Sequence, residues 1–267
     1  MRLLTTLGLI GSAAFAETTA PDPVELVRRS VPAVLANSEK TQLYAYREYR
    51  VEREHDKNGK ETERKTYTWD VIGLEGSTYR KLIQRNDQPL APKEQKREDE
   101  RLVKETARRR KETPEQRRNR VLSFSYSLTF RYERMTDLFD LEYKGEEAVE
   151  GRTAYVVQGM PKPGVRPAND NEKELLNYRV RVWIDQEELT TPRIEFEVIG
   201  DHSRMQKGSM FDWSSERDEA GVWLLKELRI RYNIRFFKAL AAHGEVTETY
   251  SDYKRFQVDS RLLEGQN

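Results

Sequence analysis

From Arg179 to Ile199, "RVRVWIDQEELTTPRIEFEVI", apolar and charged residues alternate, and the pattern predicts two strands around a turn. Tyr178, Val180, Val182 and Ile184 fall on one face, and Arg179, Arg181, Trp183 and Asp185 on the other. Beyond the turn, Ile194, Phe196 and Val198 alternate with Arg193, Glu195 and Glu197. The clearest run of this kind is "GVWLLKELRIRYNIRFFKAL". In it Val222, Leu224, Leu228, Ile230, Tyr232, Ile234 and Phe236 share a face that Lys226 interrupts. Glu227, Arg229, Arg231, Asn233 and Arg235 take the opposite face. A strand of this length, followed by "TETYSDYKRFQVD", predicts a curled sheet, because strands twist right-handed.

The same period of two runs through the first third of the chain. It predicts a meander of three strands, about Leu43 to Glu54, Thr62 to Leu74 and Ser77 to Arg85. Asn58-Gly59 and Glu75-Gly76 supply the turns. After Leu138, "DLEYKGEEAVEGRTAYVVQGMPKPG" reads as strand, turn at Glu150-Gly151, and strand. "PKPGVRPANDNEK" then reads as a loop.

Two regions change to helical spacing. In "PDPVELVRRSVPAVLAN", Asp22 is a cap, Pro23 suits the first turn and Glu25 the capping-box position. Pro32 predicts a kink or a restart there. From Pro92 to Arg120 the apolar residues are Leu102, Val103 and Ala107, which predicts a mostly solvated helix. Thr113-Pro114-Glu115-Gln116 restarts it with a second capping box. Val121, Phe124, Leu128, Tyr132 and Met135 then form an apolar stripe suited to packing on a sheet face.

The elements predict an α+β fold: a single strongly curved antiparallel β-sheet, an open half-barrel, with helices covering its concave face. Residues 17–267 are expected to form a single domain. Residues 92–136 are its charged helical insertion, or lid. Composition agrees. Charged residues make up 35% of the chain and hydrophobic residues 36%, a balance that suits a sheet with one wet face.

The first sixteen residues are expected to lie outside the fold. Arg2, the apolar run Leu3 to Ile10 and Ala14-Phe15-Ala16 make up a secretory signal, with the cut predicted between Ala16 and Glu17. Removing them takes away one arginine and no acid, which leaves a formally neutral chain and argues against nucleic acid as a partner. The chain has no cysteine, hence no disulfide and no acylated amino-terminal cysteine. A periplasmic location is the expectation.

A search for chemistry returns little. His55, His202 and His243 have no metal-ligand spacing. There is no G-x-S-x-G elbow, no cysteine nucleophile and no phosphate-binding glycine loop, so a non-enzymatic chain without metal or cofactor is expected. "NDNE" at 169–172 has calcium-loop residue types but not the ligand ladder or central glycine, and a plain Asx-rich loop is expected. Residues 93–120 hold twelve Lys/Arg and seven Asp/Glu. The Arg108-Arg109-Arg110-Lys111 run would meet anionic head groups or an acidic partner. Alternatively it belongs to a solvated helix with intrahelical ion pairs, which is the expected reading.

Four segments, "DPVELVRRSV", "YRKLIQRNDQPL", "GEEAVEGRTAYVVQGMPKPG" and "RVWIDQEELTTPRIEFEV", resemble the LolA/LolB-like superfamily of periplasmic lipoprotein carriers. The lipid-sensing domain of RseB/MucB proteins is related to it. The chain also resembles secreted outer-membrane lipoprotein-sorting-like proteins. The resemblance implies an unclosed β-barrel with helices as a lid over an apolar cavity, and it brings no catalytic motif. The expected function is a carrier or binder of a lipid or acylated ligand, with transient contact to membrane or envelope proteins. The expected cavity wall is Val180, Val182, Ile184, Ile194, Phe196, Val198, Leu228, Ile230, Tyr232 and Ile234, with Tyr132 and Met135 in the lid. In a sheet with a filled core the same residues would be core, and the chain an interaction or envelope-sensor module.

Overall fold

Helix α1 spans Pro23–Thr41, and the Asp22 carboxylate accepts the Val24 amide at 2.9 Å, as the cap signal requires. The helix does not break at Pro32. Pro32 and Arg28 lie on its exposed side, so the Arg28 carbonyl left without a partner faces the side turned to water. The computed structural model describes residues 20–120, 132–200, 205–237 and 240–256. The signal-peptide reading, the stripe positions Val121, Phe124 and Leu128, and His202 lie outside the described residues.

The strands are β1 (Tyr44–His55), β2 (Glu61–Leu74), β3 (Ser77–Arg85), β4 (Gln88–Pro89), β5 (Phe139–Val149) and β6 (Arg152–Pro161). They continue with β7 (Tyr178–Asp185), β8 (Arg193–Val198), β9 (Met210–Arg217), β10 (Trp223–Phe237) and β11 (Leu240–Arg255). Further helices among the described residues are α2 (Pro92–Arg110), α3 (Met135–Leu138) and α4 (Asp170–Leu175). The strands form one antiparallel sheet in the order β4-β3-β2-β1-β11-β10-β9-β8-β7-β6-β5. The two ends, β4 and β5, do not meet, so the curved sheet stays open.

Each neighbour in the sheet is also a neighbour in sequence except at one seam, where β1 pairs with β11. Register shifts interrupt several ladders, and such bulges bend and twist a sheet. One lies between Leu225 and Glu227, where the apolar alternation of β10 is broken by exposed Lys226. Glu150 (φ 50°) and Gly151 (φ 74°) make the tight hairpin between β5 and β6, both in the left-handed region.

The second capping box is present. The Thr113 amide donates to Gln116 Oε1 at 3.0 Å, and the Gln116 amide to Thr113 Oγ1 at 3.2 Å. Residues 114–120 are helical. The "NDNE" stretch, expected to be loop, starts α4, because Asn169 caps the Glu172 amide at 3.0 Å.

The main core lies between α1, α3 and strands β5 to β8. It gathers Leu26, Val27, Tyr132, Met135, Leu138, Phe139, Val157, Leu175 and the apolar face of β7. Ala154, Val156 and Trp183 form a small cluster on the other face, so Trp183 is buried although it alternates with arginines. The Arg193 guanidinium covers its ring at 4.5 Å, and its indole nitrogen donates to Glu147 at 2.8 Å.

Candidate functional site: the helix-covered face of the sheet

Cross-strand register puts the ten expected wall residues on one face. One row reads Val182, Ile194, Trp213, Leu228, Glu248, Arg50, Tyr67 from β7 to β2. The next reads Val180, Phe196, Phe211, Ile230, Val246, Glu52, Lys65. The face changes character along these rows, in three zones.

The first zone is sealed. Val180, Val182, Ile184 and Val198 are 0–1% exposed and pack in the main core with Tyr132 and Met135, the two residues expected in the lid. Tyr132 holds this zone to α1. Its hydroxyl lies 2.7 Å from Ser30 Oγ and accepts from Thr191 Oγ1 at 3.0 Å. Burial raises its pKa, with the Ser30 and Thr191 contacts opposing, so the hydroxyl stays protonated at neutral pH.

The second zone is an apolar strip. Ile194, Phe196 and Phe211 are half-buried and pack on the edge of the core. Leu228 is buried, while Trp213, Ile230, Tyr232 and Ile234 are half-buried. The rings form a chain of contacts, with centroids 5.9 Å apart for Tyr178–Phe196, 5.5 Å for Phe196–Trp213 and 5.8 Å for Phe211–Trp213. Tyr232 lies against Gly244 of β11, where an added Cβ would sit 2.5 Å from its hydroxyl.

The third zone is ionic. Arg50 Nε donates to Glu248 Oε1 at 2.6 Å, and Arg80 Nε to Glu48 Oε2 at 2.7 Å. Each pair has a second guanidinium contact, from the Nη2 nitrogens of Arg50 and Arg80. The Arg80 guanidinium sits 3.7 Å from the Trp69 ring centroid. The Tyr250 hydroxyl donates to Glu248 Oε2 at 2.7 Å. The carboxylates are the hidden members: the Glu48 and Glu248 side chains are 6% and 7% exposed, against 39% for Arg80 and 30% for Arg50.

Burial raises the Glu48 pKa, and the bond and charge of Arg80 only partly offset it. Burial against Arg50's charge is outweighed by Glu248 and Glu52, which raise its pKa. Tyr46 is pushed up to about 12 by burial, with Glu48 adding to it. Burial, followed by the adjoining Glu248, raises Tyr250 as well.

This ionic zone is absent from the sequence reading. The available signal was the spacing Tyr46, Glu48, Arg50, Glu52, which puts alternate residues of β1 on one face. Without the β1–β11 seam nothing in the sequence places Glu248 beside Arg50.

Elsewhere, His55 and His243 face each other across the β1–β11 ladder, and His243 Nδ1 lies 2.8 Å from Asn233 Oδ1. Among the described residues no group of three or more His, Asp or Glu is placed to hold a metal ion. The arginine run is dispersed. Arg109 turns inward and donates to the carbonyls of Leu74 at 2.8 Å and Thr78 at 3.1 Å, pinning α2 to the β2–β3 hairpin. Arg108 pairs with Glu105 at 2.7 Å and Arg110 with Glu75 at 2.7 Å.

No family model and no curated protein matches the chain. Solved structures do. A DUF1329 family protein from Desulfovibrio piger shares 13% identity at a TM-score of 0.35, covering 92% of this chain and 98% of its own. A putative outer membrane lipoprotein-sorting protein domain from Vibrio parahaemolyticus shares 11% at 0.39, covering 87% and 94%. A LolA superfamily protein from Nitrosomonas europaea shares 10% at 0.31, covering 87% and 96%.

Proposed function

We propose that the chain is a non-enzymatic periplasmic binding or carrier protein for a lipid or acylated ligand. The observation that carries the reading is the strip of Phe196, Phe211, Trp213, Ile230 and Tyr232. These large apolar side chains lie half-buried on the helix-covered face, between a sealed core and a buried ionic boundary. An acyl chain laid on them gains about 0.8 kcal/mol for each methylene removed from water. A long chain therefore gains enough for micromolar binding before ordering costs.

Native mass spectrometry after mild purification tests it, with co-purified lipid as the expected result. A fluorescent fatty acid is expected to bind the wild type and to lose at least tenfold in affinity on Ile230→Arg. The variant should keep its cooperative unfolding, because Ile230 belongs to none of the three core clusters. A clean apo mass and no fatty-acid binding would refute the carrier.

A second reading is favoured by the first zone. Val180, Val182, Ile184 and Val198 are enclosed by helix and sheet side chains, as in a filled core. An interaction or envelope-sensor module would have that core throughout, and its partner would be a protein.

A further inference from the structure

The cations of α2 divide by whether they have a partner. Arg109 is buried, and Arg101, Arg108 and Arg110 pair with Glu98, Glu105 and Glu75. Lys93, Arg97, Lys104 and the C-cap Lys111 are exposed. Among the described residues none of the four has an ion pair or side-chain hydrogen bond. At about 100° per residue, their spacing puts them within roughly 40° of one line, over about 27 Å of helix. Lys96 lies beside this line and pairs at 3.9 Å with Glu100, an exposed carboxylate that falls on the line itself between Arg97 and Lys104.

Apolar surface adjoins the stripe. Val103 is 68% exposed, the highest value among the exposed large hydrophobic residues of the described chain. It lines a wide, shallow recess of about 660 Å³ together with Pro92, Gln95 and Ala107; Lys96 and Lys104 border it, as do Asp99 and Glu100, which pair with Lys81 and Lys96.

We infer that the outer face of α2 docks the protein on an anionic membrane surface, with lipid phosphates against Lys93, Arg97, Lys104 and Lys111 and Val103 at the acyl boundary. The chain's formal net charge is +1, so the attraction is local to this face. A row of four unpaired cations along one helix face, with exposed Val103 in a wide recess beside it, suits a plane of mobile head groups. A folded acidic partner would instead call for a shaped cleft. The inference does not rest on the ligand reading, since the stripe lies on α2 and the strip on β8 to β10.

The test is vesicle flotation of the full chain, with phosphatidylcholine vesicles and with phosphatidylcholine–phosphatidylglycerol mixtures. The expected result is binding to the mixed vesicles at low salt, lost at high salt, with little binding to the neutral ones. At about fivefold per cation, the variant K93Q/R97Q/K104Q/K111Q should lose on the order of a hundredfold or more. Its thermal midpoint should be unchanged. Replacing the three lysines by arginine should preserve binding. Equal binding to neutral vesicles, or full binding by the neutralised variant, would overturn the inference. Capture by polyglutamate without vesicle binding would overturn it in favour of an acidic polypeptide.

Discussion

Tyr132→Phe removes one oxygen from the hydroxyl chain that ties α1 to the sheet. Ser30 Oγ donates its single proton to the Val27 carbonyl at 2.8 Å, so it accepts from Tyr132. Thr191 donates to Tyr132 in turn, and the chain of donors runs Thr191, Tyr132, Ser30, Val27. The phenyl ring can keep its place, since Tyr132 is 4% exposed within the main core. The loss is therefore two hydrogen bonds, each worth about 1 kcal/mol net, or about 2 kcal/mol together. For a domain of this size that lowers the thermal midpoint by about 4–8 °C. Urea unfolding should show a lower midpoint with an unchanged m-value. A cycle with Thr191→Val should show coupling of about 1 kcal/mol, because the two side chains share a bond. Amide exchange at Leu26 to Ser30 should also accelerate. A loss below about 0.5 kcal/mol, or additive single mutants, would refute the tether.

Other perturbations follow from equally local geometry. Arg109→Met should cost about 3 kcal/mol and speed amide exchange across α2 while β5 to β8 stay protected; unchanged α2 exchange would refute the pin. Gly244→Ala should cost about 1–3 kcal/mol, because the new methyl meets the Arg53 carbonyl and Tyr232; a neutral result in chemical denaturation would show that the β1–β11 seam yields. Asp185 is 1% exposed and accepts Arg152 at 2.7 and 2.8 Å and the amides of Glu187 and Glu188 at 3.0 and 2.7 Å. Burial opposes its charge, but these bonds lower its pKa overall. A lowered carboxyl pKa stabilises above the unfolded value near 4 and loses that contribution as pH falls through the folded value. Asp185→Asn should thus cost about 2–3 kcal/mol at neutral pH. The gap to wild type should narrow below about pH 4, read from urea midpoints across pH; a pH-independent gap would refute it.

Local elements were legible where one chemical signal bounded them. Ser77–Arg85 is recovered as β3 because Glu75-Gly76 marks one end and the two-residue alternation stops at the other. The capping box at Thr113 and the cap at Asp22 were equally readable. The failures are positions where a neighbour decided the outcome. Pro32 does not restart α1, because its exposed side tolerates a missing bond. Trp183 is buried on the charged face because Arg193 folds over it. The common face of the ten candidate residues follows from alternation within each strand plus register between them. Their split into sealed and half-buried groups depends on where α1 and Tyr132 lie, which no period encodes. The ionic zone was least legible, because Arg50 and Glu248 are brought together by the pairing of the first strand with the last.

That ionic zone also bears on what the face is for. Replacing a buried ion pair with apolar residues of similar volume is usually neutral or stabilising. A solid core would thus be served at least as well by apolar residues in place of Glu48, Arg50, Arg80 and Glu248. These charges continue the same cross-strand rows as Trp213, Leu228 and Ile230, so the apolar strip ends against them. The carboxylates are sunk and hold the arginines, whose guanidinium groups are the more exposed members. On the proposed reading this boundary orients an amphipathic guest: its chain lies on the rings of β8 and β9, and its polar end meets Arg50 and Arg80. A purely apolar strip would bind the chain in either sense. The charged end makes one of the two orientations costly, since it would set methylenes against charged groups and cover them from water.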